Sequence, residues 1–449
     1  MERVKIGWAM RDISTDKPVA IPGQMFVRVS EGIFDPIYVT ALAVDGGEGQ
    51  DAFVFVSLDL TNLRSTVVKD TVSRAVEREP ELPRDGIILN CTHTHTSVDT
   101  YGTQDKAPDG APRFPGTEYR EIVVEKAVEA ILEAWHNRKP GGIAFGYGYA
   151  VAGHSRRVCY FEDMSKANPN AVAPNGTAIM YGNTRDPRFS HYEAGADHFL
   201  NCLFTLDEKD ALTGMILNVP CPSQVGEQLF KLSADYWTEV REMVEETFGK
   251  GIFVLPQCAA AGDLSPRILH YKGAQERRMR LKYGLSYRTS VTDPRGEDYF
   301  NRIMTERRDI AERIVKGAAE VWSWAKKDIR REVRVRRRSE KISLALRKIT
   351  PEEAQWCRDT VAAMEKAIPS DKEGTPDEIR RAVSRYHTIK NRNTGAIERF
   401  EKQGDDPRNT YTLNVAALDE VAFCFNCFEL YMDFMHRIQA RSPFLQTFV

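Results

Sequence analysis

The chain has 449 residues, 42% hydrophobic and 28% charged, with a formal net charge of −2. That length supplies a large buried core, and near-neutral charge gives no general field for nucleic acid or an anionic membrane surface. No apolar run is long enough to span a bilayer, and the opening Met1-Glu2-Arg3-Val4-Lys5-Ile6-Gly7 lacks an apolar signal core, so the sequence reads as a cytoplasmic protein without a membrane span.

Strands are expected at 4–9, 37–44 and 52–60, the last two joined across Asp45-Gly46-Gly47. The run 51–59 is almost continuously apolar, as for a strand covered on both faces. A helix at 65–77 leads to a strand at 86–91, which runs into Cys91-Thr92-His93-Thr94-His95-Thr96. Two histidines one residue apart on a strand share a face. Imidazole is the commonest nitrogen ligand for zinc, so the pair is a candidate half of a catalytic metal site. The competing reading is a surface turn in which the flanking threonines hydrogen-bond the rings.

An amphipathic helix at 118–135 stops at Pro140-Gly141-Gly142. A second helix–turn–strand unit follows: helix 234–248, the break Gly249-Lys250-Gly251, and strand 252–258 running into Ala259-Ala260-Ala261-Gly262-Asp263-Leu264-Ser265-Pro266. Each unit delivers a polar cluster to the C-terminal end of a strand, where ligands bind in open α/β sheets. The order predicts an α/β fold with a mixed, largely parallel sheet and flanking helices.

Further on, a charged helix is expected at 298–326, then the basic run Arg330-Arg331-Glu332-Val333-Arg334-Val335-Arg336-Arg337-Arg338. Alternation with Val333 and Val335 makes this a strand with one solvated face, and nucleic acid is not expected as a partner. Helices at 351–368 and 375–390, a surface loop at 391–409, strands at 410–418 and 421–425, a helix near 428–438 and a closing strand at 444–449 complete the chain. Cys424-Phe425-Asn426-Cys427 has no second pair, and the eight scattered cysteines read as free, the CxxC pair as buried thiols. No low-complexity tract divides the chain, which reads as one catalytic unit over 1–449 with a helical excursion at about 270–400.

A zinc hydrolase needs about three protein ligands and an open position for water, with donors for the developing oxyanion. His93 or His95, Glu429 and one more residue meet the first need. Cys221, between Pro220 and Pro222, is one candidate as a thiolate, against a packed loop thiol; His198, beside Asp197, is the other. Asp263 and Ser265 follow Gly262 and read either as proton-handling groups or as an Asx- or Ser-type turn. Arg156 and Arg157, after His154, suit a carbonyl or anionic oxygen, and Asp12 and Asp59 stand at strand ends where they could support the site. His136, His191, His270, His387 and His436 carry no ligand spacing.

Taken in order, these blocks resemble the neutral/alkaline, non-lysosomal ceramidase family. Gly7 through Thr15, with Asp12-Ile13-Ser14, looks like its opening; Thr92-His93-Thr94-His95-Thr96 looks like its histidine block. Ser155-Arg156-Arg157, Gly262-Asp263-Leu264-Ser265-Pro266-Arg267 and Asn426-Cys427-Phe428-Glu429 follow in the family's order. The resemblance implies the family's catalytic-domain fold and zinc, or another divalent transition metal, on His93 and Glu429. It places His95 beside the metal, Asp263 and Ser265 on the proton-handling side, and Arg156 or Arg157 on substrate oxygen. Where the family has a second zinc histidine this chain has Cys221, so either Cys221 replaces it or the site is rebuilt around His198. The family's tyrosine ligand lies beyond the last glutamate block, with Tyr431 the substitute at hand. The expected function is metal-dependent hydrolysis of an amide or ester in a small, soluble, polar substrate. The alternatives are a metal-dependent lyase or isomerase on a sugar-like substrate and a non-catalytic descendant, and a homo-oligomer is left open.

Overall fold

The computed structural model describes residues 2–102, 113–167, 176–290 and 293–449. The first sheet is built from β1 (Lys5–Asp12), β2 (Tyr38–Asp45), β3 (Ala52–Leu58) and β4 (Ile87–Cys91), with α1 (Ser65–Arg78) between the last two. β1 and β2 pair antiparallel, as do β2 and β3, and only β3 with β4 runs parallel across the helical crossover. After α2 (Gly116–His136) the pattern recurs: β5 (Gly142–Tyr149), β6 (Phe199–Leu206), β7 (Leu212–Val219), α3 (Trp237–Phe248) and β8 (Phe253–Cys258). Here again the first two pairings are antiparallel and β7 with β8 is parallel.

The sheets are therefore mostly antiparallel, which corrects the largely parallel expectation. Each helix that suggested a parallel crossover follows a hairpin. Asp45 turns the first, its Oδ1 accepting from the Gly47 N–H at 2.9 Å while Gly47 takes φ 85°.

The nearly continuous apolar pattern of β3 is explained by two separate cores. Val54, Val56 and Leu58 face a core that includes Val67 of α1 and Val123, Ala127 and Ile131 of α2. Phe53 and Phe55 turn the other way, into a core shared with Leu203, Ile216 and Leu255 of the second sheet. Trp8 joins the sheets by stacking on Phe253 with ring centroids 5.5 Å apart, its Nε1–H donating to Thr205 Oγ1 at 2.9 Å. α3 and α5 (Glu297–Ala325), which follows α4 (Lys272–Tyr283), bury their apolar faces in the same core cluster as the second sheet.

A third sheet carries β9 (Val335–Ala345), β10 (Arg408–Leu418), β11 (Val421–Phe425) and β12 (Gln446–Phe448), with α8 (Met432–Arg441) between the last two; α6 (Pro351–Glu365) and α7 (Pro376–Lys402) join β9 to β10. Two expectations fail here. Residues 391–402 are the last turns of α7 rather than loop, because Asn393 and Ala396 are buried on its inner face. The last helix begins at Met432 rather than near 428, and Phe428–Tyr431 stays irregular because Leu430 O accepts from the Gly262 N–H at 3.0 Å. Cys424 is half-buried on β11, but Cys427 lies past the strand and is exposed.

Candidate active site

β4 ends at Cys91, so the histidine pair lies beyond the strand rather than on it. His93 adopts a left-handed φ of 59°, and this turn brings the two rings together, Nε2 to Nε2 at 3.3 Å. The His93 Nδ1–H donates to Thr61 O at 2.6 Å, which leaves Nε2 facing Glu429 Oε1 at 2.8 Å. A neutral nitrogen lone pair and a carboxylate oxygen cannot stand that close unless a proton or another cation lies between them. The hydrogen bond from His93 holds the Glu429 carboxyl below its ordinary range.

His95 is set by different partners. Gln224 Nε2–H donates to its Nε2 at 2.8 Å, so the ring proton sits on Nδ1, 3.6 Å from Glu227 Oε2. Burial holds its pKa well below 6.5, and the charges of His93, Arg28, Arg156 and Arg267 act in the same direction. His95 is therefore a neutral imidazole. Its carbonyl is held by Arg28, a fully buried guanidinium that also donates to Leu229 O and Pro22 O.

From Gln224 the network continues outward. Tyr181 OH donates to Gln224 Oε1 at 3.1 Å and accepts from Arg156 Nη1 at 3.2 Å. Arg156 Nη2 donates to Gly262 O at 2.8 Å, and its backbone N–H reaches Asp263 O at 3.0 Å. Arg157, which opens the strand Arg157–Tyr160, pairs with Glu193 at 2.9 Å. Arg156 and Arg157 are equals in the sequence; burial separates them, Arg156 being buried and Arg157 half-buried.

The remaining expected residues lie around this chain. Asp263 is buried, and its Oδ1 accepts from the Met432 N–H at 3.1 Å, anchoring the start of α8. Burial raises its pKa. Ser265 Oγ accepts from the Arg267 N–H at 3.2 Å, a Ser-type turn. Cys221 is fully buried with its Sγ toward Pro222 O at 3.5 Å, and burial pushes its thiol well above the ordinary value. His198 Nε2 is buried without a partner. Asp59 pairs with Arg241 at 2.9 Å, and Asp12 Oδ1 accepts from the Ser14 N–H at 2.7 Å.

A catalytic zinc requires about three protein donors on one point. Among the described residues no three His, Cys, Asp or Glu side chains converge in that way. His93 and Glu429 meet, but neither the protonated Cys221 thiol nor His198 joins them, so the donor set does not fit the expected three-ligand zinc site.

Beside His93 and Glu429 opens a cavity of about 160 Å³ between the ends of β4, β7 and β8 and the third sheet, with Phe423, Phe425 and Phe448 on its apolar side. Gln224, Tyr181, Thr61 and Glu227 received no role in the sequence reading. Gln224 lies three residues after Cys221, in the same loop. Tyr181, with φ 57°, gave no local signal.

The architecture superposes on the crystal structure of neutral ceramidase from Pseudomonas aeruginosa with a TM-score of 0.62 over 98% of this chain. This chain has the neutral ceramidase fold. Sequence identity to that protein is 15%, and the match covers 64% of its length. A second match, a ceramidase complexed with C2, gives a TM-score of 0.61 at 14% identity, covering 100% of this chain and 68% of the other. No family model matches the sequence, and no curated protein does. Among the described residues no helix is long and apolar enough to cross a membrane.

Proposed function

We propose that the chain is a hydrolase that cleaves an amide or ester bond in a small polar substrate at His93 and Glu429. One observation carries this reading: the 2.8 Å contact between His93 Nε2 and the exposed Glu429 carboxylate, at the mouth of a cavity in a neutral ceramidase fold. Glu429 is ionised at neutral pH, because the hydrogen bond from His93 favours its charged form. In this reading it accepts a proton from the water that attacks the substrate carbonyl, and returns that proton to the departing amine or alkoxide. Arg156 is near enough for the two charges to stabilise each other, and its guanidinium supplies positive charge for the developing oxyanion. His95, kept neutral and fixed by Gln224, holds the position of its partner ring.

Zinc enters this reading only as a guest of His93 and Glu429, and no step is assigned to it. The test is release of free amine or alcohol from a panel of short N-acyl amines and acyl esters. Wild type is expected to turn over at least one of them, with His93→Ala and Glu429→Gln lowering kcat by 10²-fold or more. Equal rates for wild type and both variants refute the assignment.

A further inference from the structure

A second cleft lies apart from His93 and Glu429 and shares no lining residue with the cavity beside them. It has a volume of about 380 Å³ and opens between α4, the loop after it and the start of α5. Arg277 and Arg280 of α4 and Arg288 of the loop line it. Residues three apart share a helix face, and helical side chains lean toward the N-terminus, so the first two reach over the same turn. Gly284 ends α4 with a left-handed φ of 74° and sends the chain back toward the helix. Arg288 is then fixed from both sides. The buried Tyr287 donates its OH to Glu306 Oε1 of α5 at 3.1 Å. Thr289 donates its N–H at 2.7 Å and its hydroxyl at 2.9 Å to Glu276 Oε1 of α4.

Residues 271–290 hold six basic side chains and one acidic, in a chain whose net charge is −2. Arg278 and Lys282 are neutralised by the buried Asp309, each at 2.7 Å. Arg277, Arg280 and Arg288 are not: among the described residues no carboxylate stands within 4.0 Å of them. Three guanidiniums gathered without a close counter-charge repel one another, and a bound anion relieves that repulsion. Guanidinium forks match the oxygens of a phosphate, and a phosphate monoester carries about −1.5 to −2 at neutral pH. Two carboxylates, Glu276 and Asp298, also line the cleft, with Ser286. Carboxylates repel a phosphate but accept from hydroxyl groups, so they suit the carbon frame of a ligand rather than its charge. At about 380 Å³ the cleft has room for both parts.

We propose that this cleft binds a small phosphate ester with a hydroxylated carbon frame. Arg277, Arg280 and Arg288 hold its phosphate, and Glu276, Asp298 and Ser286 bond its hydroxyls. The site is separate from the hydrolytic one and stands or falls without the hydrolase reading.

The test is calorimetric titration of the full chain at low salt with ribose 5-phosphate, ribose and inorganic phosphate. Ribose 5-phosphate is expected to bind and ribose to give no heat, with inorganic phosphate at least about threefold weaker than the ester. Arg277→Gln and Arg288→Gln are each expected to weaken the ester about tenfold, as for loss of a charge-assisted hydrogen bond. Both side chains are exposed, so neither change threatens the fold. Arg336→Gln removes another exposed arginine without an ion pair, on β9, and should change the affinity less than about twofold. Sedimentation with phosphatidylcholine vesicles, with and without phosphatidylinositol, separates a soluble ester from a lipid head group. Binding to the phosphatidylinositol vesicles but not to ribose 5-phosphate overturns the proposal. So does an ester that binds no better than ribose or inorganic phosphate, a loss with Arg336→Gln as large as in the cleft variants, or no loss in either cleft variant.

Discussion

Gly262 holds Glu429 against His93, and the structure says how closely. A Cβ added at Gly262 would overlap the Glu429 carbonyl oxygen and lie 2.8 Å from Tyr431 Cδ1 and 3.0 Å from the Glu429 carbonyl carbon. The φ of Gly262 is not in the left-handed region, so Gly262→Ala introduces a collision and no backbone strain. Restoring ordinary contacts requires the 429–431 segment to retreat by about 1 Å, because close-packed interiors give little room for relaxation. That retreat stretches the 2.8 Å contact to His93 beyond useful hydrogen-bond range. Misplacement on this scale costs roughly 10²-fold in kcat, whereas overpacking costs about 1–3 kcal/mol of stability. The variant should therefore melt only a few degrees lower while losing nearly all turnover. Gly273→Ala is the matched control: Gly273 lies in α4 with nothing within 4 Å of an added Cβ, and alanine there should stabilise by roughly 0.5–1 kcal/mol without touching the rate. Thermal melts and steady-state kinetics on the substrate identified from the acyl panel check both. A folded Gly262→Ala protein with kcat within twofold of wild type would show that the placement of Glu429 does not govern the reaction.

The two neighbouring arginines should behave differently: Arg156→Ala lowers kcat/KM by 10²-fold or more, while Arg157→Ala, which removes only a partly exposed pair with Glu193, changes it less than threefold. Equal losses in the two kinetic assays would contradict the separation. Burial lowers the pKa of His95 well below 6.5 and that of His154 to about 4, so these two rings oppose stability on mild acidification, while buried carboxyls raised in pKa, Glu239 to about 7 among them, act the other way. His154→Gln isolates one contribution: the unfolding free energy of wild type relative to the variant should decrease from pH 7 toward 4 in guanidinium titrations. A difference that grows over that range sinks the argument. Cys221→Ala should leave the metal content of purified protein as it is in wild type, whereas His93→Ala lowers any metal present; elemental analysis showing loss of metal with Cys221→Ala would restore the cysteine as a ligand.

The local architecture was legible because it is local. Amphipathic spacing marked α2, glycines marked the breaks, and the both-faces pattern of β3 signalled two cores. Cys91 through Thr96 and Gly262 through Pro266 were placed correctly as polar clusters at strand ends, since the chain must leave the sheet there. Strand direction was not legible, because a doubly covered strand has the same composition whichever way its neighbour runs. Nor was the end of α7, where burial of Asn393 and Ala396 outweighs a loop-like composition.

The site divides along the same line. Sequence by itself determined that His93 and His95 share a tight segment after a buried strand, and that Glu429 follows another. Only the tertiary structure decided that His93 meets Glu429, that Gln224 fixes His95, that Arg156 rather than Arg157 turns inward, and that Cys221 stays in the core. The reason is that each of these contacts joins segments far apart in the chain, and their meeting depends on how two sheets and a third pack, which no periodicity within one segment records.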